Sequence, residues 1–475
     1  MSRHRLRASL LVRRPIDEAF AFFATPANLH RITPPGLGFE YTTPPEPMRE
    51  GLEIGYRIRP LFGVGVRWLT RIGRHEPPRL FTDIQVRGPY RRWEHGHAFE
   101  EVEGGTMVRD EIDYEVPGWG AGDVLDRLVI RNELTWIFRY RAWAIGAALA
   151  AAGAPSGRTV AVAGGTGFVG GAIADELRRR GDRVIVLSHR GEPARGVLPD
   201  DVEIRMADAR TGDGLPDALR GVDAIVIALA FRNSPMESPA RHQTFEEVDA
   251  GGTEHLVAAA REAGVGRVVY LSGAGAAPDA SRHWFRAKWR AETAVRGSGL
   301  AWTIIRPTWV YGPRDVSLNR FLGFARRLPM VPMTNRGNQL LAPVFVDDVA
   351  RLAADSLSSS AATDQVFELG GPAELRMREI IGAAMRVAGL RRPILPGPTP
   401  LLKLGAWPLS FLPEPLLTPA AIDFINQPAT VDLGPLLERM PRRLTPLTEG
   451  LASYLGHGPD RSVAFPGGHR VPAAG

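Results

Sequence analysis

The segment Val160-Ala161-Val162-Ala163-Gly164-Gly165-Thr166-Gly167-Phe168-Val169-Gly170 constrains this chain more than any other. Four small apolar residues in a row fit a strand buried on both faces, as in a parallel sheet. Glycines follow at once, and a helical pattern continues to Arg180. Gly165, Gly167 and Gly170 make a GxGxxG motif, while Gly164, Gly167 and Gly170 make a GxxGxxG spacing. Each glycine has a steric reason: a tight turn after the strand, close approach of backbone to a pyrophosphate, and close packing of helix on sheet. The helix that follows offers free N–H groups and a positive dipole end to an anion. Gly164, Gly165, Thr166, Gly167, Phe168, Val169 and Gly170 are therefore the expected dinucleotide-contacting loop.

The pattern around the loop agrees with that reading. Strands are predicted at Arg183 to Leu187, Val202 to Ala207, Ala224 to Leu229 and Arg267 to Ser272, with helices ending at Leu219 and spanning about Thr244 to Ala263. Such alternation predicts an α/β Rossmann, doubly wound parallel sheet. Cofactor choice is read after the second strand, where an NAD site usually carries an acid for the ribose hydroxyls. Here stand Ser188-His189-Arg190. An acid would repel a 2′-phosphate, whereas Arg190 can pair with it and Ser188 can donate to it. NADP(H) is the expected cofactor, with NAD(H) as the alternative.

The later motifs resemble the short-chain dehydrogenase/reductase (SDR) superfamily. Asp249-Ala250-Gly251-Gly252-Thr253 is similar to its NxxGT helix, Arg306-Pro307-Thr308-Trp309-Val310-Tyr311-Gly312-Pro313 to RPxxVYGP, and Phe345-Val346-Asp347-Asp348-Val349-Ala350 to the HVDDVA stretch of extended members. The C-terminal half also resembles the atypical group that includes the nucleotide-binding accessory subunit of respiratory complex I. The resemblance implies adenine contacts at Asp208 and Ala209, a nicotinamide-ribose side lined by Leu229, Ala230 and Phe231, further contacts at Arg306 and Pro307, and a small C-terminal subdomain on the substrate side.

Conventional SDR enzymes use Ser, Tyr and Lys, the last two four residues apart on one helix face. Ser272 and Lys288 match, but Trp284 stands at the tyrosine position. An indole N–H only donates and does not cycle a proton near neutral pH. Asp249 likewise replaces the usual Asn. Lys288 is one of only two lysines in an arginine-rich chain, the other being Lys403, and a ribose contact is its expected role. His283 is offset by about 100° around the helix and should point elsewhere. Tyr311 or a water is the fallback proton carrier.

Residues before about 150 follow another plan. A strand at Arg7 to Val12 leads to a helix from Pro15 carrying Phe20, Phe22, Phe23 and Leu29. Strands then follow at Glu53 to Ile58, Val66 to Arg74, Phe81 to Val86, Trp93 to Val102 and Met107 to Val116. A long helix opens at Asp123, with Leu134, Phe138, Ala142 and Ile145 along one face. With Gly88-Pro89-Tyr90, Trp93 to Phe99, Gly105-Thr106 and Asp110 to Pro117, this order resembles the START/polyketide-cyclase (SRPBCC) superfamily. The resemblance implies an α+β helix-grip domain around a small hydrophobic ligand. His95 and His97 share a strand face with Trp93 and Phe99. No third ligand is evident in the sequence, so packing or pocket lining is expected and no metal. The expected organisation is a helix-grip domain over 1–149, a linker over 150–157, a Rossmann domain over 158–455 and a disordered tail over 456–475.

Composition narrows the function classes. With no cysteine, disulfides, thiolate catalysis and cysteine-held metals are excluded. A net charge of +6 with scattered arginines gives no concentrated basic face, so nucleic acid is not an expected partner. The basic start lacks a signal-length apolar run and Trp143 to Ala154 is too short to span a bilayer. A cytoplasmic protein is expected, with peripheral membrane contact through the apolar 401–417 stretch as the alternative. Three functions remain: an NADP(H)-binding protein without conventional turnover, acting as redox sensor, scaffold or assembly factor; an active NAD(P)-dependent oxidoreductase, epimerase or dehydratase on an apolar substrate; or a lipid- or quinone-binding module of a membrane-associated complex.

Overall fold

The computed structural model describes residues 3–61, 64–189, 198–231, 234–411, 418–456 and 461–464. Arg190 lies outside them. The first unit is an antiparallel sheet. Its strands are β1 (His4–Val12), β2 (Glu40–Tyr41), β3 (Glu53–Leu61), β4 (Val64–Glu76), β5 (Leu80–Arg87), β6 (Arg92–Val102) and β7 (Gly105–Glu115). In β6 and β7 buried and exposed residues alternate, as a strand with one face toward a core requires. Helix α1 (Ile16–Phe23) and the long helix α2 (Arg131–Ala148) cover the inner face. From α1 come Phe20 and Phe23, from the sheet Phe81, Phe99 and Val108, and from α2 Tyr140 and Ile145. Toward the other end of α2, Leu134 and Phe138 pack on Trp68, Trp93 and Ile112. The helical run begins earlier, at Trp119, and passes through a π-helical stretch at Asp126–Ile130. Asp126 is fully buried there and accepts hydrogen bonds from the Tyr114 hydroxyl and Arg131 Nε, each 2.6 Å.

The second unit is built on a parallel sheet. Strands β8 (Thr159–Ala163), β9 (Arg183–Ser188), β10 (Glu203–Met206), β11 (Ala224–Ile227), β12 (Arg267–Leu271), β13 (Ala301–Pro307) and β14 (Gln365–Leu369) lie in the order β10-β9-β8-β11-β12-β13-β14. The chain order reverses between β8 and β11, which opens a crevice at their C-terminal ends. Helices α3 (Phe168–Arg179), α4 (Gly252–Glu262) and α5 (His283–Arg296) are crossovers. Their small and branched residues, such as Ile173, Leu177, Leu256, Ala260 and Ala291, fill the two faces of the sheet.

The structure adds three features that the sequence reading lacks. Residues 461–464, placed in the expected disordered tail, form strand β15 (Arg461–Ala464), which pairs antiparallel with β1 from Leu10↔Arg461 to Arg7↔Ala464. Edge pairing to a distant strand supplies the order that four residues lack by themselves. The 150–157 segment is tied to the end of α3: Gly153 N donates to Arg178 O at 3.0 Å and Ser156 N to Gly181 O at 2.9 Å. Finally, the two units share a hydrophobic cluster. Leu37 and Trp136 of the first pack with Leu318 and Leu322 of helix α6 (Val316–Arg327). Beside them Glu133 accepts from Arg326 Nε at 2.8 Å and Arg327 Nη2 at 3.0 Å. Among the described residues no helix is long and apolar enough to cross a membrane.

Candidate nucleotide-binding site

The glycine loop sits in the crevice where the strand order reverses. Gly164 has a left-handed backbone, φ +82°, and a Cβ there would lie 2.2 Å from Ala228 O. At Gly170 a Cβ would lie 2.2 Å from Gly164 O, so α3 packs on the loop only because that position is glycine. Gly165 faces Val186, with a would-be Cβ at 2.6 Å from its Cγ2. Both spacings read from the sequence therefore carry weight, for different contacts. Gly167 is the exposed N-cap of α3 and has no side chain to satisfy the first-turn N–H groups. An anion of pyrophosphate geometry suits that end, since no side chain caps the donors and no Cβ at Gly167 stands in front of them. Thr166 O is engaged from behind by Arg314 Nη2 at 3.3 Å, and Phe168 packs against Gly312.

Around this loop the expected contacts divide. Ser188 ends β9 and is buried; His189 beside it is exposed. Asp208 follows β10, and its carboxylate accepts from Arg210 N at 2.8 Å, shaping the turn there. Ala209 O accepts from His255 Nδ1 at 3.0 Å. Ala230 is exposed and Leu229 half-buried at the mouth of β11, while Phe231 turns inward against Phe245 with ring centres 4.9 Å apart. Arg306 is engaged within the protein. Its Nε and Nη2 form a bidentate pair with the fully buried Glu292, at 2.8 and 2.7 Å. Pro307 contributes its carbonyl to Ala274 N at 3.0 Å.

At the expected catalytic positions the side chains serve one another. Ser272 Oγ donates to Glu292 Oε1 at 2.6 Å. Lys288 Nζ lies 2.5 Å from Asp249 Oδ1 and donates to Leu271 O at 3.3 Å. Burial works against the Lys288 ammonium, but Asp249 and Tyr270 outweigh it and its pKa is raised. Asp249 is thus no isolated departure from Asn: it is the buried counter-ion of the lysine, presented by the π-helical turn Phe245–Gly251. Trp284 is 5% exposed, packed among Phe231, Phe245 and Ala250 and 5.5 Å from the ring of Phe424. Its indole N–H is buried without a hydrogen-bond partner. His283 does point elsewhere, to Glu237 Oε2 at 2.5 Å. Tyr311 is fully buried with its hydroxyl against Leu447 O at 3.4 Å, away from the crevice, so it is no fallback acid. Ser272→Ala should cost about 1.5–3 kcal/mol of stability, the worth of a hydrogen bond to a charged group, and leave nucleotide affinity within twofold. Paired urea melts and nucleotide titrations check this.

Residues 164–323 match a family described as NAD(P)H-binding. A Streptomyces griseus protein, (4-alkanoyl-5-oxo-2,5-dihydrofuran-3-yl)methyl phosphate reductase, is 30% identical over 241 residues, 48% of this chain and 74% of the relative. The chain belongs to the NAD(P)H-binding family. An Arabidopsis thaliana NADH dehydrogenase [ubiquinone] 1 alpha subcomplex subunit 9 is 28% identical over 57% of this chain and 69% of its own length. For the rat and mouse subunits of that name the chain spans 58% and 65% of the relative. Among solved structures, a nucleoside-diphosphate sugar epimerase from Corynebacterium glutamicum superposes with a TM-score of 0.52 at 17% identity, over 95% of this chain and 90% of that one, a likeness of fold.

Two further features accompany the glycine-loop crevice. A cavity of about 780 Å³ separates the two units, lined by Leu10 and Val12 of β1, Trp143 of α2, Phe168 and Ala172 of α3, and the charged Asp175, Arg179 and Arg314. Burial raises the pKa of Asp175 there. His95 and His97 are buried inside the first unit as the strand pattern predicts, but beside two carboxylates, Asp83 and Asp110, that spacing along one strand does not reveal.

Proposed function

We propose that this protein binds NADP(H) in its Rossmann unit and does not turn it over by the tyrosine route of SDR enzymes. It would act instead as a redox sensor, scaffold or assembly factor. The carrying observation is Trp284, packed at the tyrosine position with an N–H that donates but does not cycle a proton near neutral pH, next to a lysine held by Asp249. In this reading residues 1–149 are a helix-grip domain for a small hydrophobic ligand, residues 158–455 the nucleotide domain, and the C-terminal helices its substrate side. The cavity between the units gives an apolar molecule contact with both, and its volume is within the usual range for small-molecule sites. The NADH dehydrogenase relatives support attachment to a larger assembly, with peripheral membrane contact as one form of it. Arg190 is assigned to the 2′-phosphate.

Fluorescence titration of the full chain tests the cofactor. NADPH should bind more tightly than NADH, and Arg190→Ala should weaken NADPH about 10- to 100-fold, the worth of one charge-assisted pair, while NADH is unchanged. Equal loss for both nucleotides would remove Arg190 from the phosphate. A panel of quinones, lipids and nucleotide sugars tests the chemistry, and sustained NADPH oxidation on any of them overturns the non-catalytic reading. The Streptomyces relative, named a reductase, favours that second outcome. In that case Lys288→Ala should abolish the rate.

A further inference from the structure

We infer that the N-terminal unit holds a divalent first-row transition metal, Zn²⁺ foremost, between Asp83 of β5 and His95 and His97 of β6. The register places these groups together. Asp83 is directly opposite His95, and His97 directly opposite Asp110 of β7, so all four side chains emerge on the sheet face under α2. Asp83 Oδ2 lies 3.3 Å from His95 Nδ1 and 3.6 Å from His97 Nε2, and the three atoms all fall within 4.8 Å of one another. Hydrogen bonds between ionised partners run about 2.7–2.9 Å. Two ligands at 2.0–2.1 Å from one tetrahedral ion stand about 3.3–3.4 Å apart, closer to what is seen.

The outward side of each ligand is also fixed. His95 Nε2 and His97 Nδ1 both face Asp110 Oδ1, at 3.2 and 2.6 Å. One carboxylate thus accepts a hydrogen bond from His95 Nε2 and sits in ion-pair range of His97 Nδ1, which leaves the opposite nitrogen of each ring, aimed at Asp83, to carry the lone pair. Thr70 Oγ1 donates to Asp83 Oδ1 at 3.1 Å, which leaves Oδ2 for the ion. Histidines that bind metal commonly have their other N–H held by a carboxylate in this way. The rings are locked by packing as well: Phe81 stacks on His97 with ring centres 4.2 Å apart, and Phe138 meets His95 edge-on at 5.8 Å. Two buried carboxylates gain a counter-charge from a dication, and Asp83 keeps 18% of its side chain exposed, an entry path from solvent. Three protein ligands leave a fourth position for water or an oxygen-bearing small molecule.

The test uses the full chain, stripped with chelator and titrated with Co²⁺ and Zn²⁺. One equivalent of Co²⁺ should give the visible bands of a four- or five-coordinate ion, and Zn²⁺ should displace them. His95→Ala and His97→Ala should each weaken binding at least 100-fold, and Asp110→Asn about 10- to 100-fold, as for lost outer hydrogen bonds. NADPH affinity, read on the same samples, should not change. Should an alanine variant not fold, the near-isosteric Asp83→Asn removes a ligand without vacating the core. No uptake by the parent protein overturns the assignment, and so does uptake that all four variants leave intact.

Discussion

Gly170→Val should weaken dinucleotide binding severely, with a loss of up to about 100-fold in NADPH affinity by fluorescence titration. The added Cβ alone falls 2.2 Å from Gly164 O and 2.7 Å from Gly164 C, both backbone atoms of the loop that α3 must reach. The helix end has to retreat, and the phosphate-facing N–H groups retreat with it. Overpacking in a tight core costs about 1–3 kcal/mol, and 100-fold in affinity corresponds to about 2.7 kcal/mol. Gly171→Ala is the matched control. Its Cβ would meet Arg314 Nη1 at 2.9 Å, the far end of a flexible side chain that can swing aside, and Gly165 O at 3.2 Å, where a shift of a few tenths of an ångström suffices. That variant should bind within about fivefold of the parent, a cost of about 1 kcal/mol or less. Parent-like binding by Gly170→Val would move the pyrophosphate off this loop.

Glu133→Ala should lower stability by about 3–5 kcal/mol, the usual result of removing one partner from a buried ion pair. Arg326 is 4% exposed, with its guanidinium 3.9 Å from the centre of the Trp136 ring and Nε on Glu133. Without the carboxylate it is left as an uncompensated charge at the seam between the units. Arg327 loses its contact too, but keeps more solvent. Urea and calorimetric melts read the effect, and the single transition expected of the parent should broaden or split as the units uncouple. A change below about 1 kcal/mol would place the pair with ordinary surface salt bridges.

What the sequence discloses depends on how far apart the determinants lie. The Val160 to Gly170 stretch is legible because its strand, turn and helix rest largely on local sterics: Gly170 answers to Gly164 within the motif and Gly165 to Val186 on the next strand, while Gly164 answers to Ala228 at the end of β11. Alternation in Trp93 to Val102 and Met107 to Val116 reveals those strands for the same reason. The Lys288 environment is only half visible. Its position four residues after Trp284 is a helical spacing, but its bond to Asp249 joins two helices, and Asp249 reads in isolation as a lost Asn. Arg306 shows the opposite failure: a motif residue on strand β13 whose donors are taken by Glu292 of helix α5. Asp83 is hidden from any search along the histidine strand, since a hairpin register alone brings it opposite His95. Strand β15 has too little pattern to be seen, because its order comes from pairing with β1 and from Val463 packing on the core of the first unit.

That last pairing sets an order of assembly. A ribosome makes β1 to β7 first, and domains of multi-domain chains tend to fold as they emerge. The outer flank of β1 then waits, its N–H and C=O groups unmatched, while the entire nucleotide-binding unit is translated. Unmatched strand flanks recruit other chains. The interval between the two events is therefore the hazardous part of biogenesis, and a product stalled anywhere before Arg461 carries the defect permanently. Completion of the first unit thus reports that the second has been made.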